Sequence, residues 1–404
     1  MNLQNIRYAT RMSELKASDI REILKVTQCA EMISFAGGLP APELFPTAEL
    51  ADLARDLLLS DGAKALQYAP TEGLAVLRQL ISDRLQSRFG LAPTPDEVLV
   101  VSGSQQALDL TGKLFIDEGD VVLCESPTYL GAINAFQAYR PRLVEVPTDD
   151  DGMVPAELER RLAGPDRAKL IYVVPDFQNP SGRRWSVARR RALVEIASRF
   201  EVPVIEDAPY AELCFDGEAL PPAASFDTEG LVVFLGTFSK ILSPGLRLGW
   251  IAANEAILQR YVLVKQGADL HTSGLTQLLA ARFMLECDLD GHINRIRDAY
   301  RTRRDAMLSA LDKHMPPGVS YTRPAGGLFL WLELPPGFDA RALLERSLEE
   351  NVAFVPGGAF FTEEGHDNSL RLNFSAMPVD RIAEGVRRLG CVLETVMTSA
   401  TASP

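Results

Sequence analysis

A doubly wound α/β domain followed by a smaller α+β domain is the fold class that this chain predicts, and three observations carry it. Seven short apolar segments, at residues 98–101, 121–124, 143–146, 170–174, 202–205, 231–235 and 248–252, recur through the first two thirds of the sequence. Several are continuous apolar runs rather than alternating ones, the pattern of strands buried on both faces of a mainly parallel sheet. Helical periodicity falls between them, as at residues 186–200, so helices cover both faces of a seven-stranded sheet. After about residue 290 the pattern changes to a long helix over 293–314, a hairpin-like stretch at 321–334, a helix over 340–351, a strand at 370–374 and a closing helix. The chain therefore divides into an N-terminal arm (1–46), a large domain (47–290) and a small C-terminal domain (291–404) that the arm completes. Thr47 is the expected N-cap of the first helix of the large domain.

Composition narrows the function classes. The 404 residues are 47% hydrophobic, enough for a large core, and 54 acidic against 41 basic residues leave a formal charge of −13. That balance disfavours a nucleic-acid surface and membrane adsorption while leaving room for a local basic pocket. Five scattered cysteines form no C-x-x-C pair, and the four histidines have no metal-ligand spacing, so neither a disulfide framework nor a zinc site is expected. No apolar run is long enough to span a bilayer, and residues 1–13 lack the apolar core of a signal peptide. The chain reads as a cytoplasmic protein.

Ligands of open α/β sheets sit beyond the carboxyl ends of the strands, and four segments there carry suitable groups. Thr237-Phe238-Ser239-Lys240-Ile241-Leu242-Ser243-Pro244-Gly245-Leu246-Arg247 places one lysine among hydroxyls, with an arginine seven residues on. A lysine held out of bulk water loses its proton and can form an imine with an aldehyde, and hydroxyls with an arginine can hold a phosphate. Glu206-Asp207-Ala208-Pro209-Tyr210 puts a carboxylate at the end of a buried strand, where it needs a partner. A protonated pyridine nitrogen would be one; a structural salt bridge is the alternative. Ser102-Gly103-Ser104-Gln105 opens a helix whose free N–H groups favour an anion, though an ordinary capped turn has the same form. Asn179-Pro180-Ser181-Gly182 offers a donor to a ring oxygen and is also a plain turn. Taken in order, each after its own strand, the four segments point to pyridoxal 5'-phosphate.

These segments, with Ser-Gly-Ser-Gln-Gln-Ala-Leu at 102–108 and Ser-Lys-x-x-x-Pro-Gly-x-Arg-x-Gly at 239–249, resemble the class I and II pyridoxal-phosphate aminotransferases of fold type I. The likeness covers nearly the whole chain and is closest to the 2-aminoadipate (kynurenine-type) branch. Ile33-Ser34-Phe35-Ala36-Gly37-Gly38-Leu39-Pro40, residues 65–73 and residues 266–271 carry that finer match. The resemblance implies that Lys240 forms the imine with the cofactor and moves the substrate α-proton, that Asp207 pairs with the ring nitrogen, and that Asn179 and Tyr210 bond the ring hydroxyl. Tyr129 would stack on the ring. Ser104, Gln105, Thr237, Ser239 and Arg247 would form the phosphate site, with Tyr68 arriving from the second subunit of a homodimer. Arg371 would clamp the substrate α-carboxylate, beside Asn179 and Gly38.

The implied reaction is transfer of an amino group from an L-amino acid to 2-oxoglutarate, ping-pong through pyridoxamine phosphate. Ala17-Ser18-Asp19-Ile20-Arg21 is similar to the segment that contacts side-chain carboxylates in bacterial members of that branch. Ser18 and Arg21, on an N-terminal helix capping the substrate, therefore favour 2-aminoadipate or glutamate, with leucine-like and aromatic amino acids also accepted. A lyase or decarboxylase on the same fold is the nearest rival, and Arg371 argues against it because a decarboxylase should not grip its leaving carboxylate. An enzyme confined to aromatic or branched-chain amino acids is another. A transcription regulator would need an N-terminal DNA-binding domain, which about 45 residues of arm do not supply.

Overall fold

The arm carries a short 3-10 turn (Thr10–Ser13) and a two-residue strand, β1 (Ile33–Ser34), and helices α1 (Thr47–Ala65) and α2 (Ala75–Phe89) open the large domain. Its sheet is built from β2 (Val98–Val101), β3 (Val121–Ser126), β4 (Arg142–Asp149), β5 (Gly152–Met153), β6 (Ala168–Val173), β7 (Val204–Asp207), β8 (Val232–Thr237) and β9 (Gly249–Ala252). In space the order is β2-β9-β8-β7-β6-β3-β4-β5. Strands β4, β3, β6, β7 and β8 run parallel, while β9 is antiparallel to both its neighbours, which returns β2 to the common direction. The computed structural model describes residues 7–13 and 31–401.

The sheet has eight strands rather than the expected seven. The extra one, β5, turns back antiparallel on β4 over two residue pairs and is too short to leave a periodic signal. The first helix starts one residue off the expected cap: Pro46 is the N-cap and Thr47 the first helical residue. Strand β8 runs on to Thr237, so Lys240 sits just beyond its end.

The continuous apolar runs fold as buried strands because both faces are covered. On one face Leu99, Leu170, Ile205 and Leu235 pack under α3 (Ser104–Phe115), α4 (Leu130–Gln137) and α7 (Glu255–Gln266). On the other, Leu123, Ile171 and Val204 pack under α5 (Pro155–Leu162) and α6 (Val187–Phe200), the latter capped by the Ser186 hydroxyl. Helices α8 (Gly274–Glu286) and α9 (Leu289–His314) carry the chain to the small domain. There β10 (Ser320–Tyr321), β11 (Phe329–Glu333), β13 (Val355–Pro356) and β14 (Ser369–Asn373) form an antiparallel sheet in the order β10-β11-β14-β13. Helices α10 (Ala340–Glu349) and α11 (Val379–Thr401) pack with it, and β12 (Val352–Ala353) pairs in parallel with β1. The arm is fastened further: Asn373 N–H donates to Phe35 O, Ser375 Oγ to Leu39 O, and Ala41 N–H to the Tyr300 hydroxyl. No helix among the described residues is long and apolar enough to cross a membrane.

The parallel strands bring their carboxyl ends to one edge, and buried charge holds the loops there. Asp176, just past β6, takes both nitrogens of the fully buried Arg190 on α6, at 2.7 and 3.0 Å. Replacing Asp176 by Ala leaves that guanidinium without its counter-charge, which costs about 3–5 kcal/mol. The urea midpoint of Asp176→Ala should fall accordingly, and the paired replacement Asp176→Leu with Arg190→Met should recover most of the loss.

Candidate active site

One cavity of about 360 Å³ at that edge gathers Gly38, Ser104, Gln105, Tyr129, Asn179, Asp207, Tyr210, Thr237, Ser239, Lys240, Arg247 and Arg371. A wider cleft of about 540 Å³ opens between Arg183, Tyr321 and Arg323, but none of these groups reaches it. Tyr68 does not line the cavity: it is 79% exposed and stands edge-on to His271, with ring centroids 5.5 Å apart. Ser18 and Arg21 lie outside the described residues.

At one end of the cavity the parts form an anion cup. Gly103 is the N-cap of α3 at φ 86°, a conformation that favours glycine, and a Cβ there would stand 2.6 Å from the Arg247 guanidinium. The guanidinium therefore packs directly on the bare turn, where it also donates to Ser102 O at 3.2 Å. Ser239 N–H donates to the Thr237 hydroxyl, which donates to the Ser239 hydroxyl at 2.9 Å. Hydroxyls, a guanidinium and the open N-terminus of a helix converge there, the set that holds a phosphate.

Behind the cup lies a polar network that the sequence reading missed. The Ser102 hydroxyl donates to Asp269 at 2.9 Å, and the fully buried Lys265 donates to Asp269 at 2.6 Å and to the Thr272 hydroxyl at 3.1 Å. The only local signal is the i,i+4 spacing of Lys265 and Asp269 at the end of α7, which is common on any exposed helix.

The middle of the cavity is organised by Asp207. It is 1% exposed, its Oδ2 accepts from the Tyr172 hydroxyl at 2.9 Å, and its Oδ1 is buried with no partner. Burial pushes its carboxyl up to about 7. An orphaned carboxylate oxygen aimed into a cavity is the acceptor that a protonated ring nitrogen needs. Tyr172 carried no motif signal, because a tyrosine in an apolar strand reads as core. Tyr129 precedes α4, and a Cβ on Gly131 would meet its ring at 2.4 Å, so that glycine leaves the ring free to lie over the cavity. Tyr210 and Asn179 both line the cavity here.

At the far end Arg371 comes from β14. It is 1% exposed, donates to Asn179 Oδ1 at 2.8 Å and to Ala36 O at 2.6 Å, and lies over the rings of Phe329 and Phe360 at 4.3 and 5.0 Å. Two of its five N–H groups are thus engaged, and burial lowers its pKa to about 10. Lys240 donates to Gly38 O at 3.0 Å. Burial first, then the Arg371 and Arg247 charges, lower its pKa from 10.5 to about 8.

That shift predicts a pH-dependent stability of the cofactor-free protein. Below pH 8 the folded and unfolded chains both hold the ammonium, and the folded state bears the whole cost of burying it. As the pH rises from 8 to 10.5 the folded lysine is neutral while the unfolded one still binds a proton, so the cost fades. Lys240→Ala should therefore melt higher than the parent at pH 7, with the gap closing towards pH 10.5 in thermal unfolding.

Comparison with known proteins gives the family. Residues 32–389 match the family described as aminotransferase class I and II. The chain is 46% identical over 386 residues to the 2-aminoadipate transaminase of Thermus thermophilus, covering 95% of each chain. It is 42% identical over 387 residues to aromatic-amino-acid aminotransferase 1 of Thermococcus litoralis, covering 95% of this chain and 93% of the other. The solved alpha-aminoadipate aminotransferase of Thermus thermophilus, complexed with N-(5'-phosphopyridoxyl)-L-leucine, superposes with a TM-score of 0.90 at 44% identity, over 97% of this chain and 98% of that one. The anion cup, the orphaned Asp207 oxygen and the cationic lysine between them fit pyridoxal 5'-phosphate, the cofactor of this family. The chain is a member of the class I and II aminotransferases, with the fold-type I architecture.

Proposed function

We propose that this enzyme moves the amino group of an L-amino acid to 2-oxoglutarate in ping-pong order, with 2-aminoadipate and glutamate as favoured donors and leucine-like and aromatic amino acids also accepted. The observation that carries the reading is a buried arginine, Arg371, with spare N–H groups at one end of a cavity whose other end is an anion cup. An amino acid held by its α-carboxylate at Arg371 would present its α-carbon towards Lys240. Relatives named for 2-aminoadipate and for aromatic amino acids support a broad range of side chains.

Bound pyridoxal phosphate supplies an electron sink for the charge left on the substrate α-carbon when its proton departs. The protein supplies the rest. Ser104, Gln105, Thr237, Ser239 and Arg247 hold the phosphate. The Oδ1 atom of Asp207 holds a proton on the ring nitrogen, and Tyr172 fixes the rotamer that aims it. Asn179 and Tyr210 bond the ring hydroxyl, and Tyr129 covers one ring face. Lys240, with a pKa near 8, is an ammonium that gives up its proton close to neutrality, as a residue that takes and returns the α-proton must. Arg371 orients the carboxylate by a forked pair of hydrogen bonds, and Gly38, against the Phe329 ring, leaves space beside it.

We further infer that two chains complete each site. Tyr68 is exposed, and so are Leu59, Leu66 and Leu270, which suits burial against a second copy that receives the tyrosine. Ser18 and Arg21 remain the proposed readers of a side-chain carboxylate.

Two measurements test the reading. Single amino acids added to the loaded enzyme should bleach its visible absorption, with 2-aminoadipate and glutamate fastest and 2-oxoglutarate restoring it. Carbon dioxide release, or no bleaching by any amino acid, would overturn transamination, and preference for leucine or phenylalanine would overturn the dicarboxylate assignment. Arg371→Lys cannot make the forked contact and should lose about 10–10²-fold in kcat/KM for the amino acid, the cost of a charged hydrogen-bonded pair.

A further inference from the structure

Away from the cavity, one buried carboxylate ties the two domains together. Glu145 lies on β4 and is 4% exposed, yet its side chain reaches the small domain. One oxygen accepts from the backbone N–H groups of Thr362 and Glu363 and, at 3.1 Å, from the Thr362 hydroxyl; the other accepts from the Ser126 hydroxyl. A carboxylate has lone pairs for four donors, whereas an amide would set N–H against N–H or give up one acceptor. Beside this hub the Thr128 N–H donates to Phe360 O at 2.8 Å. The small-domain segment 360–363 is thus pinned to the large domain on both sides of Phe361.

Each end of the clasp leads to the cavity. Phe360 supplies one of the two aromatic faces against the Arg371 guanidinium, and its ring also packs on Trp331 at 5.9 Å. Ser126 leads through Pro127 and Thr128 to Tyr129, and Thr148 Oγ1 donates to Ser126 O to brace that turn. Arg371 itself spans the seam: it stands on a small-domain strand and bonds Asn179 of the large domain. Its direction is therefore set by where the small domain docks.

We propose that Glu145 is a positioning residue for the substrate carboxylate site: by pinning segment 360–363 to the large domain it seats Phe360 and so aims Arg371. The proposal rests on the reading of Arg371 as the α-carboxylate clamp. Docking of the small domain and assembly of that clamp are then one event, while Asp207 and the anion cup stand on the large domain alone.

The test is a mutant cycle on the loaded enzyme. Glu145→Ala should raise the KM for the amino acid about tenfold, with kcat changed less than about threefold and pyridoxal phosphate affinity, read by absorbance titration, unchanged. Glu145→Gln and Thr362→Val, which keep the packing, should give smaller shifts of the same kind and serve if the alanine variant does not fold. In an Arg371→Lys background the Glu145 replacements should add less than about twofold, because they act through the residue already removed. An unchanged KM in the Glu145 and Thr362 variants, full additivity with Arg371→Lys, or weakened cofactor binding would each overturn the proposal. If Arg371→Lys alone leaves the KM and kcat/KM intact, the clamp reading itself falls; if it does not and the Glu145 variants are silent, only the role of Glu145 falls.

Discussion

A bare carboxylate oxygen kept ready inside a protein is expensive, and the active site is arranged around the one on Asp207. Strand β7 buries it completely, and Tyr172 satisfies one oxygen while the other has no partner in the protein. No exposed loop could hold such a group, because water would satisfy both oxygens and erase its demand for a cationic partner. The central position of β7, with β6 and β8 bonded to either side, is what makes the burial possible. The same parallel geometry delivers Asn179 and Lys240 to its neighbourhood.

Around that single anion the cavity is cationic. Lys240, Arg247 and Arg371 all line it in a chain whose formal charge is −13. The positive charge has two uses. It lowers the lysine pKa towards neutrality, and it makes a phosphate and a carboxylate welcome where they would otherwise meet an acidic protein. Burial is the larger cause of the Lys240 shift, and the two arginines add to it.

Much of this was legible in the sequence because it is written locally. Continuous apolar runs marked the parallel strands, and the turns after them carried Ser104, Asn179, Asp207 and Lys240, all of which share one cavity. What stayed hidden depends on contacts between distant residues. Tyr172 looks like any strand tyrosine, Glu145 like any strand carboxylate, and Lys265 with Asp269 like a surface helix pair. Each acquires its meaning only when a partner tens to hundreds of residues away folds against it. Strand β5 was missed for a different reason, since two residues have no period.

The parallel pairing of β1 with β12 has a consequence for synthesis. Ile33 meets Val352 about 320 residues later, so on a ribosome adding roughly 5–20 residues per second the apolar arm waits roughly 20–60 s for its partner. Phe35, buried in the finished enzyme, lacks its backbone partners Ala353 and Asn373 for that whole interval. Cotranslational folding can complete the central sheet but not the ceiling of the active site, so a nascent chain stalled before residue 352 leaves the arm open to chaperones and to aggregation.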